Sequence, residues 1–192
     1  MTLTLEAMTA TGAHRKGHFR LSSGLHSGDY LQCALYLADP RRAAAVGEEL
    51  AAAIRETGAA PDLVVSPALG GVIVGHETAR ALGTPFVFTE RQDGVMTLRR
   101  GFALAPGQRV AIVEDVVTTG RSTREVMEVV RAAGAEVAVL ASMVNRSGSP
   151  NPFEPLPYVA LLEVEFPTWP PEACPLCARG VPVEKPGSRP VT

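Results

Sequence analysis

Three cysteines, one tryptophan and 5% aromatic residues are a thin supply of bracing side chains for a chain of 192 residues. Cys33, Cys174 and Cys177 are too few and too unevenly placed for a disulfide framework, so any core must come from aliphatic packing. Charge of either sign is also lacking in excess: 18 basic residues face 20 acidic ones, for a net charge of −2. Duplex affinity comes mostly from neutralised phosphates, so a chain with no polybasic run is not expected to bind nucleic acid. No run of apolar residues is long enough for a membrane span, and the first twenty residues hold no apolar stretch of signal-peptide length. No membrane is therefore expected as partner, and the expected compartment is cytoplasmic. The phosphate-loop signature G-x-x-x-x-G-K-[ST] is missing, and Gly70-Gly71 with Gly75 does not make G-x-G-x-x-G. Neither a Walker-type nucleoside triphosphatase nor a dinucleotide fold is supported.

What is present is 46% apolar and 20% charged residues, ordinary for one folded domain with room for a small appendage. Eleven of the sixteen prolines fall after residue 149, which excludes a long helix there and leaves the body of the fold before it. Asp39-Pro40 signs the start of a helix that ends near Gly58. Val46, Leu50, Ala53, Ile54 and Thr57 form its apolar stripe, opposite Glu48, Glu49, Arg55 and Glu56. Strands are expected at Leu63 to Ser66, Phe86 to Phe88, Arg109 to Val113, Val137 to Val144 and Tyr158 to Val164, with helices to Gly83 and from Arg124 to Ala133. Asp93-Gly94 marks a hairpin or mobile loop, made basic by Arg91, Arg99 and Arg100. Strands alternating with helices predict an α/β fold with a mostly parallel, twisted sheet flanked by helices.

Chemistry concentrates in Val110 to Ser122. An apolar strand delivers two adjacent carboxylates, Glu114 and Asp115, to its carboxyl end, where open α/β sheets bind their ligands. A polar turn over Glu114 to Ser122 follows, and Thr118, Thr119, Gly120, Arg121 and Ser122 lead into a helix. Free backbone N–H groups, the positive helix end and several hydroxyls thus converge on a point suited to phosphate. Carboxylates beside a phosphate would repel it unless they face neutral hydroxyls or a divalent ion, which is the layout of a ribose 5-phosphate. An acidic helix start alone would explain a lone Asp-x-x-Thr; the ordered run of acids, threonines, glycine and serine after a buried strand favours the phosphate. Gly70 and Gly71, at a strand-to-helix turn, either admit backbone close to a polyanion or merely let helix pack on sheet.

Val113 to Ser122 resembles the phosphoribosyl pyrophosphate (PRPP) motif of type I phosphoribosyltransferases. Gly17 to Tyr30 is similar to the amino-terminal segment of orotate phosphoribosyltransferases, and Val144-Asn145-Arg146 matches the strand end where that family places an orotate-binding arginine. The resemblance spans most of residues 1–165, which would form the phosphoribosyltransferase domain with 1–38 contributing a base-binding hood; residues 166–192 make a Pro-rich tail. It implies transfer of ribose 5-phosphate from PRPP to orotate. Glu114 and Asp115 would hold the ribose hydroxyls, Val116, Val117, Thr118, Thr119, Gly120, Arg121 and Ser122 the 5-phosphate, and Gly70, Gly71 and Arg91 the pyrophosphate. Glu114, Asp115 and Arg91 would be the catalytic residues. Arg146 would grip the orotate carboxylate, with Thr118 also touching orotate. Mg²⁺ is implied as cofactor, bound mainly through PRPP and pyrophosphate with no dedicated protein ligand, and a homodimer is implied as the assembly.

This chain departs from the family pattern at Ser22 and Gly70, where relatives often carry lysine. It departs also in the shorter loop Arg91-Gln92-Asp93-Gly94, to which no catalytic lysine or histidine can be matched. A purine phosphoribosyltransferase, or a regulator sensing PRPP or a nucleotide on the same fold, remain alternatives. Cys174-Pro175-Leu176-Cys177 is half a zinc site without partners at zinc-finger spacing, so a packed or incidental turn is expected. His14, His18, His26 and His76 are expected on the surface or in loops, although His26 lies in the segment that could touch substrate. Trp169 is expected to anchor the tail.

Overall fold

In the computed structural model, residues 2–186 are described. A short helix, α1 (Leu5–Ala10), capped by the Thr4 hydroxyl, leads into an antiparallel hairpin of β1 (His14–Arg20) and β2 (His26–Leu31). After α2 (Cys33–Leu37) comes α3 (Pro40–Glu56), where Asp39 accepts a hydrogen bond from Arg41 N at 3.0 Å and proline occupies the first turn. Val46, Leu50 and Ile54 of the expected stripe are fully buried, but Thr57 is not part of it. Thr57 is exposed and caps the helix instead, its hydroxyl donating to the Ile54 carbonyl at 2.7 Å.

The main sheet is built from β3 (Leu63–Pro67), β4 (Phe86–Gln92), β5 (Val95–Leu98), β6 (Arg109–Val117), β7 (Glu136–Asn145) and β8 (Tyr158–Glu163). Helices α4 (Gly70–Leu82) and α5 (Arg121–Ala132) cross over between β3 and β4 and between β6 and β7. The strand order is β5-β4-β3-β6-β7-β8, parallel throughout except for the β4–β5 hairpin. Asp93 (φ 51°) and Gly94 (φ 84°) form its two-residue turn, the backbone that an Asp-Gly pair favours.

Alternation along the central strands explains why both faces are covered. Val64, Ala111, Val113, Val139 and Ala141 pack toward α3 and α4, while Leu63, Val65, Val110, Ile112 and Leu140 pack on the other face with Val126 and Val130 of α5. Helices α3 and α4 approach closely at Gly47, where a Cβ would lie 2.5 Å from the Glu77 carbonyl carbon.

Two expected boundaries move around the acid pair, and the strand expected at Phe86 to Phe88 runs on to Gln92. The expected turn over 114–122 is strand as far as Val117, because Val116 and Val117 stay in register with Val144 and Asn145 of β7. Helix α5 then starts at Arg121 rather than Arg124, since Gly120 takes the left-handed conformation (φ 71°) that breaks the strand and opens the helix.

The tail contributes β9 (Thr168–Trp169), a 3₁₀ turn at Pro171–Ala173 and the one-turn helix α6 (Pro175–Ala178). Strand β9 pairs with β2, His26 opposite Trp169, so a second sheet of order β1-β2-β9 stands over the main one. No helix among the described residues is long and apolar enough to cross a membrane.

Candidate active site

The chain runs from β3 to β4 on one side and later from β6 to β7 on the other, so the order reverses between β3 and β6. Above the carboxyl ends of those two strands an open α/β sheet leaves a crevice. The loop after β3 brings Gly70 there, and β6 brings Asp115 to meet it: a Cβ on Gly70 would stand 2.6 Å and 2.7 Å from the two Asp115 carboxylate oxygens. Gly71 behaves differently. It is buried, with the Ser66 Cβ and the Val113 carbonyl oxygen 3.0 Å and 3.1 Å from where its own Cβ would be. In this structure Gly71 lets α4 pack on the sheet, and Gly70 faces the crevice.

Burial raises the Glu114 carboxyl well above the usual carboxylate range, and the neighbouring Asp115 charge raises it further. Burial raises Asp115 too, with hydrogen bonds only partly opposing it. The Cys33 thiol at the start of α2 lies near both acids and is raised by burial first and then by their charges. Sequence reasoning gave Cys33 no role, because nothing local signals that the start of α2 ends up near the acid pair of β6.

Beyond Val117 the loop turns around a cavity of about 60 Å³ lined by Glu114 and residues 116–123. Thr118 and Thr119 are exposed, Gly120 is buried, and the first N–H groups of α5 face the loop without a side-chain cap. The Arg121 N–H does approach the Thr119 hydroxyl oxygen at 3.4 Å. Such an N-terminus is a ready acceptor site for an anion. A larger groove of about 380 Å³ lies behind α5, between Arg124 and Leu156, and borders none of the expected site residues.

Arg146 follows directly on β7, its N–H donating to the Val117 carbonyl at 2.8 Å, which sets it beside Thr118. Burial draws its guanidinium below the usual range, while Asp29 of the hood pulls the other way. The guanidinium lies 5.3 Å from the centre of the Phe166 ring, and the other neighbour of that ring is His14, stacked at 5.3 Å with planes 9° apart. His14 in turn reaches Asp29 at 2.8 Å. His14, Asp29 and Phe166 therefore form a wall beside Arg146 that the sequence did not disclose, since they meet only when the hood closes on the sheet.

Arg91 lies on β4 in the hairpin and pairs with Glu125 on α5, which also binds Arg121 at 3.0 Å. Partial burial would raise Glu125, but hydrogen bonds from Arg91 and Arg121 outweigh it and hold its carboxyl below the usual range. Arg91 is thus brought to the first turns of α5. Arg100 is engaged with Glu90, at 2.6 Å and 2.9 Å, and Arg99 is exposed.

The expectation for the histidines needs correction. His14, His18 and His26 are buried on the hood strands, and of the four only His76 is exposed. The reason is that β9 and the segment around Cys174 cover the hairpin, which no local pattern in the hairpin announces.

A family model described as "Phosphoribosyl transferase domain" matches residues 36–170. The chain is 53% identical over 174 residues to an orotate phosphoribosyltransferase of Carboxydothermus hydrogenoformans, covering 91% of each chain. It is 48% identical over 184 residues to that of Thermotoga maritima, covering 96% of this chain and 97% of the relative. Among solved structures, the orotate phosphoribosyltransferase of Aeropyrum pernix superposes with a TM-score of 0.67 at 26% identity, over 83% of this chain and 92% of the other. An adenine phosphoribosyltransferase of Thermoanaerobacter pseudethanolicus has a TM-score of 0.67 at 19% identity, over 84% of this chain and 100% of that one, and speaks for the fold alone. With the acid pair, the amide-lined loop and the arginine at adjoining strand ends, and with relatives matched over nearly their whole length, the chain belongs to the phosphoribosyltransferase family, among its orotate phosphoribosyltransferases.

Proposed function

We propose that the crevice between β3 and β6 transfers the phosphoribosyl group of PRPP to orotate, forming orotidine 5′-phosphate and pyrophosphate. The observation that carries this reading is the placement of Glu114 and Asp115 on β6 between two anion-suited loops, one at Gly70 and one at residues 116–123, with Arg146 at the next strand end. The 5-phosphate would accept hydrogen bonds from the amides at the head of α5 and from the Thr118, Thr119 and Ser122 hydroxyls. The ribose hydroxyls would donate to Glu114 and Asp115, and the pyrophosphate would lie over Gly70. The orotate carboxylate would take paired hydrogen bonds from Arg146, with the Phe166 face beside it.

In the reaction a bond forms between an orotate ring nitrogen and the anomeric carbon. The bond to pyrophosphate oxygen breaks and its electron pair leaves with pyrophosphate, while the ring nitrogen gives up its proton to the departing pyrophosphate or to water. The transition state is oxocarbenium-like, as in glycosyl transfer generally. The residues' work is alignment, stabilisation of the charge that shifts onto pyrophosphate, and exclusion of water. Arg91 would leave Glu125 for the pyrophosphate when the β4–β5 hairpin closes.

Mg²⁺ fits the donor set: two carboxylates at one strand end offer hard oxygen ligands but no full cage, which suits an ion that keeps water and substrate oxygens. When bound it would neutralise developing charge on the leaving group. Leu69 (88% exposed) and Ile73 (44%), one turn apart at the head of α4, are apolar surface beside the site and support a homodimer, and a cytoplasmic location is proposed along with the family reading.

The test is the loss of orotate absorbance on adding PRPP with Mg²⁺, with pyrophosphate measured in parallel. Turnover of a purine base in place of orotate would reassign the substrate. PRPP binding without consumption would replace the enzyme by a sensor.

A further inference from the structure

Four side chains from three separate segments, none of them among the expected site residues, converge. His18 comes from β1, His26 from β2, and Cys174 and Cys177 flank the start of α6. His18 Nε2, His26 Nδ1 and the two sulfur atoms all lie within 4.8 Å of one another. We propose that these four residues form a closed structural zinc site that clamps the tail onto the hood.

The distances carry the argument. A tetrahedral zinc ion with nitrogen at about 2.0–2.1 Å and sulfur at about 2.3 Å sets nitrogen–sulfur edges of about 3.5 Å. The three such distances resolved here are 3.5 Å (Cys174 to His18), 3.7 Å (Cys177 to His18) and 3.3 Å (Cys177 to His26). The His18–His26 separation, 2.8 Å, is about 0.5 Å shorter than the nitrogen–nitrogen edge of such a tetrahedron, a gap that ring rotation can open, and the remaining edges lie within 4.8 Å. Both cysteines are free thiols.

The tautomer agrees. The Val181 carbonyl can only accept, so the 2.7 Å contact with His18 Nδ1 places the proton on Nδ1 and leaves a lone pair on Nε2, pointed at the cluster. Fixing a ligand histidine through its far nitrogen is how zinc sites are commonly supported. Two thiols and a second imidazole converging on that single lone pair are more acceptors and weak donors than hydrogen bonding alone can use.

The placement gives the ion something to do. Among the described residues after Phe166, only Cys174 is buried, and β9 pairs through just two residues. Backbone bonds such as Glu184 N to the His18 carbonyl at 2.8 Å, and an Arg15–Glu184 pair on the surface, add little hydrophobic stabilisation. A metal held from both sides would supply as folding energy what this thin layer lacks in apolar burial. Four protein ligands leave no open position, so the site is structural rather than catalytic.

The test is elemental analysis of the full chain purified under reducing conditions with zinc in the medium, beside cobalt replacement. The expected result is about one zinc per chain, falling to a small fraction in Cys177→Ser, an exposed position whose change leaves the packing in place. Cobalt in the unaltered protein should show intense tetrahedral bands with thiolate charge transfer. A protein that neither contains zinc nor takes up zinc or cobalt stoichiometrically would overturn the proposal. So would an octahedral cobalt spectrum, a Cys174–Cys177 disulfide in the protein as purified, or zinc retained in full by Cys177→Ser.

Discussion

Replacing Gly70 by alanine separates the function of the β3 loop from its stability. A Cβ at this position would lie 2.6 Å, 2.7 Å and 2.8 Å from Oδ1, Oδ2 and Cγ of Asp115, whereas ordinary contact begins near 3.4 Å. The atoms that must yield belong to one short side chain and not to backbone, so the least costly response is for the Asp115 carboxyl to turn away by about 0.8 Å. The fold loses little by this. Gly70 is exposed in the first turn of α4 and has no positive φ, and alanine in a helix is favoured over glycine by up to about 1 kcal/mol. The site loses much, because a displacement near 1 Å of a positioning group costs about 10²-fold in rate, equivalent to about 2.7 kcal/mol. Steady-state kinetics with varied PRPP should therefore show kcat/KM down about 10²-fold, with a melting temperature unchanged or raised. Gly71→Ala is the counterpart: its Cβ would press on Ser66 Cβ, Pro67 Cδ and the Val113 carbonyl at 3.0–3.3 Å, so it should cost about 1–3 kcal/mol of stability. Undiminished PRPP kinetics in Gly70→Ala would refute the reasoning, as would a loss of activity that merely follows a loss of fold.

Asp115→Asn should lower kcat/KM for PRPP by about 10²-fold while circular dichroism stays native; unaltered kinetics would remove Asp115 from ribose binding. Arg146→Ala deletes a charge-assisted pair worth about 1.5–3 kcal/mol and should raise KM for orotate about 10- to 100-fold, with KM for PRPP little changed; equal damage to both substrates would deny it a separate role. Burial raises the Glu114 pKa first and Asp115 second, so between about pH 4.3 and the native value the unfolded chain releases a proton that the native state keeps, and stability falls as pH rises through that window. Glu114→Gln should then melt higher than the parent at pH 7, by about 2–4 °C per kcal/mol recovered, with little difference near pH 4; the opposite pH trend would contradict the burial. Glu125→Gln should barely change stability, its partners being surface arginines, but should lower KM for PRPP by up to about fivefold by releasing Arg91; a higher KM would mean that Glu125 orders Arg91 for substrate.

Much of the fold was legible because its signals are local. Asp39-Pro40 begins a helix wherever it occurs ahead of an apolar stripe, Asp93-Gly94 turns a hairpin through its own backbone preferences, and four consecutive apolar residues at Val110 to Val113 suit a strand covered on both faces. The acid pair and the hydroxyl-rich loop were legible for the same reason, since one strand-loop-helix passage contains them all. Boundaries were less so: whether Val116 and Val117 are strand or turn depends on a register with β7 that lies some twenty-eight residues away.

Contacts between distant segments had no such signature. Nothing near Gly70 and Gly71 distinguishes the glycine that faces Asp115 from the one that packs on Ser66; helix α4 has to be docked before they differ. His14, Asp29, Phe166 and Arg146 adjoin only because hood, tail and sheet close on one another. His18 and His26 meet the two cysteines across about 150 residues for the same reason. Backbone preference and side-chain periodicity act over one or two turns of chain, so the sequence by itself determined the elements and the PRPP motif. Long-range pairing is settled by which apolar faces can be buried together, and it was the tertiary structure alone that decided which glycine faces Asp115, what stands beside Arg146, and that four scattered side chains share one point.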